Sequence, residues 1–264
     1  WVPIAWTRRR ERRFCWLCCL LGYFGSATHG GAVVLELKEL ELRQGSFAMK
    51  ASFDVDPAAR IAVIGPSGAG KSTLLMALSG FLQPAAGRLE WDGFEITKQA
   101  PSARPFSVLF QDNNLFPHMS VAQNVGLGLR PSLRLSSGET NQVSEALVSV
   151  GLGDMGARKP AELSGGQQSR VALARVLVQR KPMILLDEPF AALGPALKAD
   201  MLDLVAELCA QTGAGMMMVS HDPSDAKRIC ETAILVAEGR AHAPVVTDEL
   251  LQNPPEVLRA YLGT

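Results

Sequence analysis

The 264-residue sequence has no net charge, since 26 Lys and Arg balance 26 Asp and Glu. That removes any global electrostatic case for a nucleic-acid or anionic-membrane partner. No apolar run reaches the roughly 20 residues that a membrane-spanning helix needs. There is no long internal repeat. Cysteine is sparse, and Cys15, Cys18 and Cys19 have no His or second Cys pair nearby to complete a zinc site. What is present is a composition 47% hydrophobic and 20% charged, enough for a real core in one or two domains.

The zero balance sums two unlike pieces. Residues 1–31 hold five Arg (Arg8, Arg9, Arg10, Arg12, Arg13) against Glu11, together with three of the four Trp. A charged start, a short apolar run over 14–24 and small residues at Gly25, Ser26 and Ala27 have the outline of a signal peptide. An interfacial anchor fits the same features. The third reading is a non-domain extension, residues 1–32, translated upstream of the true start. The Trp and Cys excess and the lack of any Met before Met49 favour it, with a native beginning at Val33 or Val34. Cys209 and Cys230 read as buried thiols in apolar helical contexts.

From residue 33 onward strand-like and helix-like stretches alternate, the pattern of an α/β fold. Residues 33–42 and 49–55 alternate apolar and polar, which suggests antiparallel strands at the start. Residues 61–64, 106–110, 183–186, 215–219 and 233–236 are apolar runs of the kind buried in parallel sheets. Residues 88–91 read as a strand entering a turn at Asp92 and Gly93. Between 120 and 180 the strand signals vanish, and 139–150 and 166–179 carry helical periodicity. A helical subdomain inserted over about 115–180 is expected, with 131–138 as an exposed loop in it.

Gly65, Pro66, Ser67, Gly68, Ala69, Gly70, Lys71, Ser72 and Thr73 fit the phosphate-loop pattern G-x-x-x-x-G-K-[ST], between a predicted strand and a predicted helix. Glycines let backbone N–H groups curl around phosphate oxygens, and a helix N-terminus favours the anion. Lys71 is placed to reach the β- and γ-phosphates of a nucleotide, and the Ser72 hydroxyl to ligate Mg²⁺. The apolar run 183–186 delivers Asp187 and Glu188 at its C-terminal end, where open α/β sheets place ligands. Asp187 suits Mg²⁺, and Glu188 suits polarisation of an attacking water.

Ser164, Gly165, Gly166 and Gln167 lie ahead of that strand, and this order resembles the nucleotide-binding subunits of ATP-binding cassette transporters over residues 33–264. The resemblance implies a P-loop cassette with a RecA-like mixed-sheet core, an N-terminal antiparallel β subdomain and the helical insertion. It implies ATP and Mg²⁺ as cofactors and a head-to-tail homodimer in which Ser164–Gln167 face the ATP of the opposite subunit. Gln111 matches the family's glutamine that touches Mg²⁺ or the lytic water, and His221 its γ-phosphate histidine. Transmembrane permease subunits, a periplasmic binding protein acting through them, and a place at the cytoplasmic face of the bacterial inner membrane follow; nucleic acid does not.

Three places depart from the family, the smallest being Ser169, just beyond Gln167, where the family more often has a longer polar or basic group. Its Ser-Ala-Leu-Asp becomes Ala191, Ala192, Leu193 and Gly194, losing a carboxylate that helps couple the two sites, so slower or less cooperative turnover is expected. An adenine-stacking ring is missing near Gln44, and Phe47 is the nearest candidate. Fewer than 100 residues separate the phosphate loop from Ser164, without heptads, unlike repair and chromosome-organising ATPases. About 40 residues follow His221, too few for the regulatory domain of many sugar importers. Residues 109–129, with Gly80, Phe81, Leu82, Gln83 and Pro84, resemble the ATP-binding subunits of bacterial thiamine importers. A cassette for another small substrate, or a weakly hydrolysing regulatory module, stays open.

Overall fold

The computed structural model describes residues 34–112 and 114–262. The readings of residues 1–33 lie outside them. The order begins β1 (Leu35–Gln44), β2 (Phe47–Val55), β3 (Arg60–Ile64), α1 (Lys71–Ser79), β4 (Ala86–Trp91), β5 (Phe94–Glu95) and β6 (Phe106–Leu109). Helices α2 (Val121–Gly126), α3 (Ser137–Ser149) and α4 (Gly165–Leu177) come next, then β7 (Met183–Asp187), α5 (Pro195–Thr212), β8 (Gly215–Val219) and α6 (Pro223–Ile229). The order closes with β9 (Thr232–Ala237), β10 (Arg240–Ala241), β11 (Val245–Val246), α7 (Thr247–Gln252) and α8 (Glu256–Leu262).

The strands form one mixed sheet in the order β5-β4-β1-β2-β10-β9-β3-β8-β7-β6, with β11 pairing β9. Strands β9, β3, β8, β7 and β6 are mutually parallel, whereas β1, β2, β4 and β5 pair antiparallel. The two-residue β10, parallel to β2 and antiparallel to β9, joins the two parts. β1 shows how sequence sets register. Its leucines fall at 35, 37, 40 and 42, out of step with a period of two, and the pairing shifts between Leu37 and Leu40 where Glu39 takes φ 46°. That bulge keeps all four leucines at 0–1% exposure.

The parallel strands are buried on both faces, as continuous apolar runs require. Ile61, Val63, Met183, Leu185, Met217 and Val219 pack with Leu74, Leu75 and Leu78 of α1 and with β1 and β2. The alternate residues Ala62, Ile64, Ile184, Leu186, Met216 and Met218 pack with α4, α5 and α6. Residues 115–180 contain helices and no strand among the described residues.

Three local expectations shift. The segment 131–138 is not all loop, because Ser136 and Glu139 form a capping box that starts α3 at Ser137. Arg130 hydrogen-bonds Glu139 and holds its carboxyl down at about 2. The strand before Gln111 ends at Leu109 rather than Phe110. Cys230 is the residue that ends α6 rather than one inside it, but burial pushes its thiol up to about 12 and that of Cys209 to about 11.

Candidate nucleotide and hydrolysis site

Parallel strands bring the sequence motifs to one edge of the sheet. Neighbouring strands run β3, β8, β7, β6, and their C-terminal ends lead in that order to Gly65, to Ser220 and His221, to Asp187 and Glu188, and to Gln111. At roughly 4.8 Å per strand, four strand ends span about 15 Å, the scale of a nucleotide triphosphate. The sequence orders these residues differently, so the topology makes the site.

The loop after β3 opens α1 without a side-chain cap: Gly70 is the N-cap at φ 104°, and the first N–H groups of α1 have no intrahelical partner. A Cβ at Gly70 would stand 2.4 Å from Phe47 Cζ and 3.2 Å from Met49 Sδ, so glycine is required twice, by conformation and by space. Lys71 is 4% exposed, and its Nζ donates to Gly65 O at 2.8 Å and Pro66 O at 2.9 Å. Burial lowers its pKa, opposed by the charges of Glu188 and Asp187. Ser67 and Gly68 are exposed at the loop tip; Ala69 N donates to Pro66 O at 3.2 Å. Thr73 is half-buried on α1.

Ser72 Oγ donates to Asp187 Oδ1 at 2.9 Å across 115 residues of sequence. Burial raises the Asp187 pKa above the ordinary carboxylate value, and the Ser72 hydrogen bond offsets only part of this. The next residue, Glu188, takes φ 47°, an uncommon conformation for a side-chain-bearing residue, and its N–H donates to Val219 O at 3.2 Å. This turn carries the Glu188 carboxylate to His221, whose Nε2 contacts Glu188 Oε1. The Glu188 side chain is 15% exposed and that of His221 42%. A half-buried carboxylate beside a hydroxyl, a second carboxylate on an imidazole and a helix N-terminus are parts that suit phosphoryl transfer to water.

Gln111 is exposed, two residues past β6, and β6 pairs β7 with Leu109 opposite Leu186. It therefore leaves the sheet one strand from Asp187. The ring of Phe47 lies against the end of the phosphate loop, while Gln44 is exposed at the end of β1. Ser164 caps α4 in a reciprocal box: its Oγ accepts from Gln167 N at 3.3 Å, and its N–H donates to Gln167 Oε1 at 2.9 Å. Gly165 meets open space. A Cβ at Gly166 would meet Leu197 Cδ2 at 2.5 Å, which fixes how closely α4 approaches α5.

No sequence pattern singles out Lys198 and Asp225, which pair beside His221 at 2.7 Å, or Arg104, which is 0% exposed. Only the Asp222-Pro223 start of α6 hinted that the residues after His221 are structured.

A family model described as ABC transporter matches residues 48–191. The chain is 56% identical over 230 residues to the thiamine import ATP-binding protein ThiQ of Ruegeria sp. (strain TM1040), covering 87% of this chain and 100% of that one. The chain belongs to the ABC transporter family. ThiQ of Escherichia coli (strain K12) is 47% identical over 220 residues, covering 83% of this ABC chain and 95% of the relative. A solved ATP-binding cassette of an ABC transporter, in its ADP conformation, aligns with a TM-score of 0.79 and 25% identity, covering 89% of this ABC chain and all of the other. The family explains why the strand ends line up as they do: its members bind ATP, and this cassette has the α/β fold of the solved one. No described helix of the cassette is long and apolar enough to cross a membrane.

Proposed function

We propose that the chain is the ATP-hydrolysing subunit of a thiamine importer, working as a homodimer beneath separate permease subunits at the cytoplasmic face of the bacterial inner membrane. The observation that carries this is the convergence of Gly65–Thr73, His221, Asp187–Glu188 and Gln111 on adjacent strand ends, in a chain 56% identical to proteins named for thiamine import. The working unit is residues 33–264, with residues 115–180 as its helical subdomain.

Gly65, Pro66, Ser67, Gly68, Ala69, Gly70 and Thr73 wrap the phosphates with main-chain N–H groups. Lys71 exchanges the carbonyls of Gly65 and Pro66 for β- and γ-phosphate oxygens. Phe47 packs the loop and lends an apolar edge to the base. Ser72 Oγ and Asp187, hard oxygens 2.9 Å apart with the carboxylate destabilised by burial, fit Mg²⁺, with Gln111 as a third contact. When bound, Mg²⁺ supplies charge neutralisation at the phosphate oxygens. Glu188 accepts the proton of the attacking water, and His221 holds Glu188 and faces the γ-phosphate. Ser164, Gly165, Gly166 and Gln167 present the open N-terminus of α4 to the γ-phosphate on the second copy, which makes hydrolysis depend on dimerisation.

Phe81 and Phe110 stack edge to face at 5.6 Å, with Phe81 55% exposed and Phe116 44% exposed on the segment after Gln111. This apolar surface beside Gln111 supports a permease contact there. The substrate-binding protein acts only through the permease. The test is reconstitution of the chain with its permease and binding protein in liposomes. Thiamine-stimulated ATP hydrolysis with thiamine uptake is expected. Uptake of a different solute would replace the substrate, and absent hydrolysis would leave a regulatory module.

A further inference from the structure

The residues on either side of His221 are tied into a polar group that the hydrolysis scheme does not use. Ser220 Oγ donates to Asp225 Oδ2 at 2.5 Å and accepts from Asp222 N at 3.1 Å. Asp225 is 5% exposed, and its Oδ2 lies 2.7 Å from Lys198 Nζ. Lys198 also reaches Asp222 Oδ2 at 3.1 Å. Its own N–H donates to Gly194 O at 2.9 Å, the first helical bond of α5. One ammonium thus bridges the start of α5, where the sequence departs from its family, and the irregular segment 220–222 that presents His221. With Glu188, Phe190 and His221 the group lines an open cavity of about 360 Å³.

We propose that Lys198 and Asp225 are positioning residues for hydrolysis. Their ion pair fixes segment 220–222, and so the His221 imidazole against Glu188, and keys that arrangement to the loop ending at Gly194. This rests on the assignment of Glu188 and His221 given above. Two physical points carry it. A carboxylate this buried needs a cation, and among the described residues Lys198 supplies it. Asp222 caps α6, accepting from Ser224 N at 2.9 Å and Ser224 Oγ at 2.6 Å, so the ion pair joins that capped helix start, and Ser220 through its bond to Asp225, to α5. Among the described residues no hydrogen bond joins the phosphate loop, on a different strand end, to this group, so the expected effect is on turnover more than on ATP affinity.

The test compares Asp225→Asn, Lys198→Met, Lys198→Arg and His221→Ala in the full chain, reading ATP Kd, KM and kcat per ATP-binding site. Asp225→Asn and Lys198→Met are expected to lower kcat about tenfold or more while Kd and KM stay within about twofold, and Lys198→Arg to recover most of the loss, since small misplacements of reacting groups cost up to about 100-fold. Normalising to binding sites removes any change in folded fraction. If Asp225→Asn does not fold, Lys198→Met decides, because that side chain is 21% exposed and leaves the Ser220 hydrogen bond in place. Unchanged kcat in Lys198→Met or in a folded Asp225→Asn, alongside a loss in His221→Ala, overturns the proposal alone. Full turnover in His221→Ala overturns the assignment of His221 and the proposal with it.

Discussion

Arg104 offers the sharpest stability prediction. It is 0% exposed and, among the described residues, has no carboxylate partner. Its guanidinium instead donates to Ala77 O, Leu78 O and Thr97 O, each at 2.6 Å, and to Gln99 O at 3.1 Å. Two of those carbonyls belong to the last turn of α1, the helix that begins with Lys71 and Ser72, so a positive charge sits where the helix dipole is negative. Arg104→Met removes all four bonds. Ala77 O keeps Gly80 N at 3.3 Å, which leaves three carbonyls to lose their partner. Each costs about 1–3 kcal/mol, partly offset because a desolvated cation is no longer buried, for a net loss of about 2–4 kcal/mol. For a unit of this size that is a fall in thermal midpoint of roughly 5–15 °C. Arg104→Lys keeps the charge with fewer donors and is expected to lose about half as much. Thermal unfolding by circular dichroism checks both, and saturating Mg-ATP recovers about 3 kcal/mol at 100 Kd if the loop still binds. A midpoint for Arg104→Met within about 2 °C of the parent would refute the reasoning.

Three further outcomes follow from the site. Gly194 caps α5 with φ −63°, ψ 156° and open space at its Cβ, so Gly194→Asp fits without strain and is expected to raise the thermal midpoint by about 1 °C through a better N-cap. It is also expected to raise the ATPase rate or its Hill coefficient, and no change in either would remove Gly194 from the account of turnover. Burial raises Asp187, so the folded chain holds that proton more tightly than the unfolded one, and stability falls as pH rises through the folded-state value. Asp187→Asn is therefore expected to raise the nucleotide-free midpoint near neutral pH, with the gain shrinking as pH falls, while Mg²⁺-dependent hydrolysis is lost. A destabilised Asp187→Asn would contradict the sign. Phe47→Ala is expected to weaken ATP binding a few-fold, measured by titration calorimetry, since it uncovers the loop at Gly70 and removes an apolar contact of about 0.5–1.5 kcal/mol.

The placing of the candidate residues was legible in the sequence because each one ends or closely follows an apolar strand: Gly65 after β3, Asp187 ending β7, His221 after β8 and Gln111 just past β6. Local pattern and turn residues suffice for that. Spatial order along the edge was not legible, since it depends on which parallel strands pair. The join through β10 escaped because two residues carry no periodicity. The start of α3 was misplaced because Ser136, Ser137 and Gly138 read as loop, while the Glu139 side chain turns Ser136 into a cap. Lys198, Asp225 and Arg104 look like surface charges in sequence, and only the packing of α5, α6 and α1 buries their ends.

Hydrolysis by Glu188 is tested most directly by Glu188→Gln in the purified full chain supplied with Mg-ATP. Loss of phosphate release of about 100-fold or more is expected, with ATP retained at both sites of a stable dimer seen by size-exclusion chromatography with light scattering. Phosphate release at the parent rate, or a variant that stays monomeric with ATP bound, would contradict it.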